Sequence, residues 1–231
     1  MDFILITNDP VRATAAQSAG VDRIMVDLEI NGKVERQGHL NTVISKHSLD
    51  DVAALRTSLE ASELMVRVNP VFNGSAAEID ACIDRGADRL MLPMFTTPEE
   101  VTRFLDMVAG RAKTSLLLET PQAMARIEAI ATRQGVEEIH IGLNDLHLGL
   151  GLDFMFEILS GGLMDHCAAI LNRAGIKHGF GGIARLDQGD LPSNRILAEH
   201  VRLGSSQVIL SRDFWQIFED KPDGAAAVLK A

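Results

Sequence analysis

The chain has 231 residues, of which 46% are apolar and 23% are charged, and its formal net charge is −10. This length is sufficient for one large core of the α/β-barrel size class. The negative charge argues against nucleic acid or an anionic membrane as a partner, because both attract surfaces rich in Lys and Arg.

Strand-like and helix-like segments alternate along the whole chain. Eight short apolar runs are predicted to be strands: 3–7, 23–29, 64–69, 89–94, 115–120, 138–143, 177–183 and 207–212. Helical patterns lie between or after them: 10–19, 49–61, 75–85, 97–110, 122–134, 153–174, 194–203 and 213–219. Two connections are longer than the others, residues 30–48 and residues 146–162.

The strand-like runs are continuously apolar, which is typical of parallel strands that are buried on both faces. Eight such units favour an α/β fold of the closed (β/α)₈ TIM-barrel type over an open doubly wound sheet. No GxGxxG pattern follows the first strand, which also disfavours a dinucleotide-binding sheet. We expect a single domain over residues 1–231, because no linker or change of composition divides the chain.

The first residues, the lack of a long apolar run and the two cysteines together predict a cytoplasmic protein. The first residues lead directly into a strand, without the basic start and apolar core of a signal peptide. No run of 18 apolar residues occurs, so we expect no membrane span. Cys82 and Cys167 both fall in predicted helices, where buried thiols are expected rather than a disulfide.

Two carboxylates follow neighbouring strands of the predicted barrel. Glu119 is the second-last residue of SLLLET (115–120), and Asp145 is the second-last residue of EIHIGLNDL (138–146). Adjacent parallel strands are about 4.8 Å apart, so both side chains can reach one hard cation with oxygen ligands. The pattern indicates a magnesium or manganese half-site, and the competing interpretation is that each acid caps the next helix.

Other polar residues are expected at the same rim, where barrel enzymes place their chemistry. Strand two ends in Asp27 and Glu29, and strand three offers Arg67 and Asn69. Several acids around one arginine repel each other unless a cation lies among them. Arg67 can therefore either contact a substrate or form a salt bridge with Asp27 or Glu29.

Five ordered motifs resemble those of the citrate lyase beta-subunit and hydroxy-oxo-acid aldolase family. They are VDLE (26–29), RVN (67–69), IDRGADRLMLPM (83–94), LLLETPQAM (116–124) and IGLNDL (141–146). The resemblance implies a metal-dependent carbon–carbon lyase on a phosphoenolpyruvate/pyruvate-type TIM barrel. It cleaves or forms a bond next to a 2-oxo acid, such as pyruvate or oxaloacetate, through an enolate that a divalent metal stabilises.

The resemblance also assigns roles to individual residues. Glu119 and Asp145 match the two ligands of Mg²⁺ or Mn²⁺, and they contact the substrate through that ion. Arg67 matches the arginine that holds the substrate carboxylate, and the backbone at Gly142 and Leu143 is expected to line the same pocket.

Three acids are assigned catalytic positions by the same comparison. Asp27 and Glu29 match the acidic end of strand two, near the water shell of the metal. Asp84 matches an aspartate that reaches the active site of a neighbouring subunit in the aldolase branch. We accordingly expect a homo-oligomer, with a small oxo acid or an acyl-coenzyme A thioester as the substrate.

Two positions depart from the aldolase pattern and leave the catalytic base open. Ile30 stands where that branch has a histidine after the strand-two Glu, and Leu117 stands where it usually has glutamine. Both changes favour the citrate-lyase-like branch. The long connection 30–48 is locally cationic and can supply a proton shuttle or bind an anion through Lys33, Arg36, His39, Lys46 and His47.

Two other functions stay open from the sequence. Loss of the usual histidine is compatible with a catalytically inactive or regulatory barrel that keeps its metal. GFGGI at 179–183 is compatible with a sugar-phosphate-binding barrel, in which the acids only shape the pocket. The apolar stretch 146–159 is expected to pack against another subunit or to close over the site.

Overall fold

The structure is a computed structural model that describes residues 1–31, 46–185 and 191–220. Its eight parallel strands form a closed barrel in which each strand pairs with the next and β8 pairs with β1. The strands are β1 (Asp2–Ile6), β2 (Arg23–Asp27), β3 (Glu63–Arg67), β4 (Arg89–Leu92), β5 (Lys113–Leu118), β6 (Glu138–Ile141), β7 (Lys177–Ile183) and β8 (Gln207–Leu210). The predicted (β/α)₈ TIM barrel is confirmed.

Helices surround the barrel and connect its strands. They are α1 (Pro10–Ala19), α2 (Leu49–Ser58), α3 (Ser75–Asp84), α4 (Pro98–Val108), α5 (Pro121–Ala125), α6 (Ile127–Ala131), α7 (Leu143–Leu150), α8 (Glu157–Ser160), α9 (Leu163–Ala174), α10 (Ser193–Leu203) and α11 (Phe214–Asp220). α2 and α4 begin with capping boxes, in which the Asp51 and Glu100 carboxylates accept the backbone N–H of Ser48 and Thr97.

The largest error of the sequence analysis concerns the segment after β6. The predicted connection 146–162 contains α7 and α8, and the predicted helix 153–174 is helical only in α8 and α9. Leu146 and Ile158 are buried, and this burial stabilises the short helices. Gly151 and Gly162 interrupt them with φ values of 70° and 77°, which side chains disfavour.

Both faces of the strands are buried, as their continuous apolar pattern predicted. The outward side chains pack under the helices in one large core. The middle of the barrel interior is filled by a smaller cluster of Ile4, Met25, Met65, Met91 and Leu117. Because apolar side chains fill the middle of the barrel, its polar side chains lie at the two ends.

An ionic network, which the sequence analysis did not predict, fills the amino-terminal end of the barrel. Glu138 is 2% exposed and accepts a 2.8 Å hydrogen bond from Arg23 Nη1. Its other oxygen lies 3.2 Å from Arg89 Nη1. Glu63 contacts the Nε atoms of both arginines, at 3.2 Å and 2.9 Å. Buried charges persist only when they are paired, so this network holds four strands together.

Three buried histidines lie where β6 and β7 meet α10. The His200 ring stacks on Phe180, with centroids 3.7 Å apart, and its Nδ1 lies 2.7 Å from Ser205 Oγ. The Nε2 of His140 lies 3.0 Å from the Gly181 carbonyl oxygen. Burial lowers the pKa of His140 to about 4 and that of His200 to about 3, and it also lowers the pKa of His178. All three rings are therefore neutral in the folded chain at neutral pH.

These histidines predict a loss of stability in mild acid. In the unfolded chain a histidine has a pKa of about 6.5, so below that pH the unfolded state binds protons that the folded state does not. The free energy of unfolding should therefore fall as pH falls below about 6.5, by up to about 1.4 kcal/mol per pH unit for each histidine. Urea unfolding at about pH 7.5 and about pH 5.5 measures this slope. The His200→Gln variant should reduce the slope, and an unchanged slope would contradict the assignment.

Both cysteines are buried, as predicted. Burial raises the pKa of Cys82 to about 12 and that of Cys167 to about 11, so neither thiol is activated as a nucleophile. Among the helices described, none is long and apolar enough to cross a membrane.

Candidate active site

Glu119 follows β5 directly and is buried at the carboxyl-terminal end of the barrel, where it is 4% exposed. It does not cap the next helix, because Thr120 is the N-cap of α5 and accepts the Ala123 N–H. The Glu119 Oε1 atom instead accepts a hydrogen bond of 3.2 Å from the Met94 backbone N–H. The helix-capping interpretation is therefore wrong for Glu119, and its carboxylate is directed into the rim.

Asp145 lies in the first turn of α7 and not at the end of a strand, since β6 ends at Ile141 and α7 begins at Leu143. β5 and β6 are neighbours in the barrel, as predicted. Asp145 and Glu119 line one cavity of about 480 Å³, together with Met94, Thr120, Pro121, Gln122, Leu148 and Gly149. The two carboxylates therefore share one space.

The electrostatics of Glu119 agree with this proximity. Burial raises its pKa to about 8, the charge of Arg67 opposes the rise, and the charges of Glu29 and Asp145 add to it. An acid that is both desolvated and surrounded by other acids holds its charge at a cost, which a nearby cation would offset.

Arg67 forms an ion pair with Asp27 on the neighbouring strand, in register with it. Its Nε and Nη2 donate to the two Asp27 oxygens over 2.8 Å and 2.7 Å, and Glu29 Oε2 lies 3.5 Å from Nε. Burial alone would lower the pKa of Arg67, yet the charges of Asp27 and Glu29 raise it, so the side chain stays cationic. Within the described chain, Nη1 has no hydrogen-bond partner and remains open to a ligand.

Met94 is a site residue that the sequence analysis missed. Its backbone φ angle is 55°, a positive value that is rare for residues other than glycine. In this conformation its N–H points to Glu119. The only sequence signal is its position two residues after the end of β4, at the rim of the barrel.

Asn69 and Glu78 hold the exit of β2 in place. Asn69 Oδ1 accepts the backbone N–H groups of Ile30 and Asn31, each over 2.9 Å. The Asn69 amide donates to Glu78 Oε1 over 2.5 Å, and the Asn69 backbone N–H donates to Glu78 Oε2 over 3.1 Å. Glu78 on α3 thus fixes Asn69, which fixes the backbone next to Glu29. Sequence reasoning named Asn69 but did not find Glu78.

His47 is brought to the same rim. Its Nδ1 accepts a 3.0 Å hydrogen bond from the Asp27 backbone N–H. A neutral ring with this bond carries its proton on Nε2. Lys46 is exposed. The other members of the predicted cationic patch, Lys33, Arg36 and His39, lie outside the described residues.

The position of the Glu119 side chain requires a glycine at residue 142. A Cβ atom at Gly142 would lie 2.8 Å from Glu119 Oε2, so a larger residue would displace the carboxylate. Leu143 is buried, and its side chain packs next to Gly181. The structure therefore brings Gly142 to the candidate metal ligand, while the Leu143 side chain belongs to the core.

Asp84 is not near these residues within one chain. It is the last residue of α3, is exposed, and precedes the amino-terminal end of β4. Its predicted role involves a neighbouring subunit and stays a prediction.

The glycines of GFGGI lie in β7, and packing explains Gly179 and Gly181. A Cβ at Gly179 would lie 2.0 Å from the Gln207 carbonyl oxygen, and one at Gly181 would lie 2.8 Å from Leu143 Cδ1. These close approaches require glycine without any bound phosphate.

The donor set of the rim fits a magnesium or manganese ion. Glu119 and Asp145 offer carboxylate oxygens only, and Mg²⁺ is often held by one or two carboxylates, with water and substrate completing its shell. In the part of the chain that the structure describes, no three His, Cys, Asp or Glu residues are arranged to hold a metal. Glu119 and Asp145 could therefore supply only part of a coordination shell, which water and substrate would have to complete.

Comparisons with known proteins agree with this architecture. The family model described as HpcH/HpaI aldolase/citrate lyase matches residues 3–154. No curated protein matches the sequence.

Solved structures provide further similarity. An HpcH/HpaI aldolase/citrate lyase family protein from Burkholderia cenocepacia J2315 has a TM-score of 0.70 at 19% identity, covering 98% of this chain and 94% of that one. An HpcH/HpaI aldolase from Desulfitobacterium hafniense DCB-2 has a TM-score of 0.68 at 16% identity, covering 100% and 93%. The citrate synthase SbnG has a TM-score of 0.68 at 18% identity, covering 99% and 93%. At such low sequence identity, the structural similarity is evidence for a shared fold alone.

Proposed function

This chain belongs to the HpcH/HpaI aldolase/citrate lyase family, and from that premise we propose that it cleaves or forms a carbon–carbon bond next to a 2-oxo acid through an enolate. Pyruvate and oxaloacetate are the fragments that we expect it to recognise. Glu119 and Asp145 would hold Mg²⁺ or Mn²⁺ for this reaction.

One observation carries the proposal: Glu119 and Asp145 line the same cavity at the carboxyl-terminal end of the barrel. A divalent cation at these oxygens would act as a Lewis acid on the negative charge that develops when the bond breaks. Glu119 is kept in position by the Met94 N–H and by the absence of a side chain at Gly142.

Arg67 would orient the substrate carboxylate. Asp27 fixes one edge of its guanidinium, so the Nη1 group is presented in a defined direction. A guanidinium suits a carboxylate because its donors are arranged as a planar fork. In this proposal Asp27 and Glu29 act by positioning Arg67 and by adding negative charge near the cation.

The proton-transfer group is not assigned by these contacts. His47 is a candidate donor, because its Nδ1 already accepts the Asp27 N–H and its Nε2 therefore carries the proton. Ile30 is 58% exposed and its N–H is bound by Asn69, so it offers no proton in place of the usual histidine.

Further parts of the proposal concern the setting of the reaction. We expect a cytoplasmic homo-oligomer, without nucleic-acid or membrane partners, and an oxo acid or acyl-coenzyme A thioester as the substrate. Leu148 and Phe154 support an oligomer, since both are 37% exposed and belong to the apolar stretch 146–159.

Two binding measurements separate the proposal from its alternatives. Calorimetric titration with Mn²⁺, followed by pyruvate, should show uptake of both. A sugar-phosphate barrel should bind neither, and an inactive barrel should bind both without turnover of any hydroxy-oxo acid or acyl-coenzyme A thioester. Absence of Mn²⁺ uptake would refute the proposed function.

The Arg67→Lys variant tests the substrate contact. Lysine keeps the charge but loses the fork, so we expect kcat/KM to fall by roughly a hundredfold while Mn²⁺ affinity is retained. Arg133→Lys, at an exposed ion pair with Glu99, is the matched control and should have little effect. Unchanged kcat/KM in Arg67→Lys would exclude Arg67 from substrate binding.

A further inference from the structure

Arg212 lies at the rim of the barrel, opposite the two candidate metal ligands. It follows β8 by two residues, at the same carboxyl-terminal end as Glu119. β8 is three strands from β5 around the ring, so residues that follow these two strands face each other across the mouth. Arg212 is exposed and is therefore accessible from solvent.

Trp215 lies beside this arginine. The indole Nε1 donates a 2.9 Å hydrogen bond to the Ile6 carbonyl oxygen at the end of β1, which fixes the ring at the rim. The guanidinium carbon of Arg12 is 4.4 Å from the centroid of the indole ring, and that of Arg212 is 5.9 Å from it, at the outer limit of a cation–π contact. The ring therefore borders Arg212 at the rim.

The backbone around Arg212 is also ordered by local hydrogen bonds. The Trp215 N–H donates to the Arg212 carbonyl oxygen over 2.8 Å, and the Ser211 N–H donates to the Ile183 carbonyl oxygen over 2.9 Å. The turn that carries Arg212 is therefore attached to β7 and leads directly into α11. A side chain on such a turn is held more precisely than one on a long loop.

Arg212 is electrostatically coupled to the site. Partial burial of the guanidinium lowers its pKa, the charge of Asp27 raises it, and the charge of Arg67 lowers it again. An arginine stays protonated in spite of such a shift. These influences support the geometric placement of Arg212 on the same mouth as Arg67 and Asp27.

The mouth thus has two cationic side chains with different surroundings. Arg67 is mostly buried, and Asp27 occupies two of its donor atoms. Arg212 is exposed at the other side of the mouth. A substrate whose reacting carboxylate lies between Arg67 and Glu119 would extend its distal end toward β8 and β1.

We propose that Arg212 binds a second acidic group of the substrate, so that this barrel prefers oxo acids with a distal carboxylate to those with a neutral end. This inference rests on the proposed function, which supplies the position of the reacting carboxylate. Arg212 is then a specificity-determining residue.

The test compares two ligands with the same carbon chain. 2-Oxoglutarate has a distal carboxylate, and its 5-(N,N-dimethylamide) has a neutral group in the same place that has no N–H and therefore cannot cyclise onto the 2-oxo group. We expect Mn²⁺-loaded wild-type protein to bind the diacid roughly ten- to a hundredfold more tightly than the amide in calorimetric titrations. Arg212→Gln should reduce this ratio to about one, and Arg212→Lys should restore part of it, because a single charge without the fork remains.

Pyruvate separates this inference from the proposed function. It has no distal group, so its affinity should be the same in wild type and Arg212→Gln. If pyruvate binds to wild type but the diacid has no advantage over the amide, the Arg212 proposal is wrong and the proposed function stands. If Arg212→Gln weakens pyruvate and diacid equally, Arg212 has a structural role only. If wild type binds no oxo acid, both proposals fail.

Discussion

Replacement of Glu119 by glutamine is expected to abolish Mn²⁺ uptake and to lower turnover by at least about 10²–10³-fold, the usual effect of removing one electrostatic stabiliser of a transition state. The substitution preserves the shape of the side chain and removes one of the two anionic ligands. The amide is a poor ligand for a hard cation in comparison with a carboxylate.

The same variant should stay folded. Burial raises the pKa of Glu119 to about 8, so at neutral pH the metal-free folded chain mainly carries this carboxyl group in its protonated, neutral form. Glutamine is also neutral and can still accept the Met94 N–H, so the substitution introduces no new desolvation penalty. The thermal midpoint of the metal-free variant should therefore equal or exceed that of the metal-free wild type.

Calorimetry with and without EDTA checks both effects. Mn²⁺ should raise the thermal midpoint of wild type, because a ligand that binds only the native state stabilises it. It should have no effect on Glu119→Gln. Glu99→Gln, an exposed residue paired with Arg133, is the control and should respond to Mn²⁺ as wild type does. An equal response in Glu119→Gln would remove Glu119 from the metal site.

The largest effect on stability is expected at the other end of the barrel. Glu138→Ala should lower the free energy of unfolding by about 3–5 kcal/mol, because it removes one of the two buried carboxylates, Glu63 and Glu138, that balance the charges of Arg23 and Arg89. Glu138 contacts both Arg23 and Arg89, at 2.8 Å and 3.2 Å, and these three residues come from three different strands. Neither guanidinium can lose its proton to escape the penalty.

Urea unfolding measures this loss. Glu128→Ala is the matched control, since Glu128 pairs with Arg173 while both side chains are more than two-thirds exposed, at 69% and 68%. An exposed pair contributes about 0–1 kcal/mol, so the control should change little. A loss below about 1 kcal/mol for Glu138→Ala would show that the network contributes no more than a surface pair.

The strand positions could be predicted because burial on both faces leaves a direct mark on the sequence. β7 was predicted over 177–183 and has those bounds. The helices after β6 were predicted less accurately. Leu146 and Ile158 are buried by contacts with the rest of the fold, and glycines divide the segment. Short helices of this kind depend on packing more than on their own propensity.

Some residues of the candidate site could be predicted from the sequence and others could not, for similar reasons. Glu119 and Asp145 were found because acids at the ends of apolar strands are visible in the sequence. Met94 was missed because a positive φ leaves no mark when the residue is not glycine. Glu78 and Arg212 were missed because each reaches the rim from an element outside the matched motifs, α3 or the turn after β8.

The sequence by itself determined the (β/α)₈ class and the family and identified Glu119 and Asp145 as candidate metal ligands, because apolar runs and short motifs are local properties of the chain. Only the tertiary structure decided which charges face each other. The pairing of Arg67 with Asp27 depends on the register of β2 and β3, and the network that joins Glu138 to Arg23 and Arg89 depends on the closure of the ring. Closure brings together residues that are far apart in the sequence, and no local pattern records those distances.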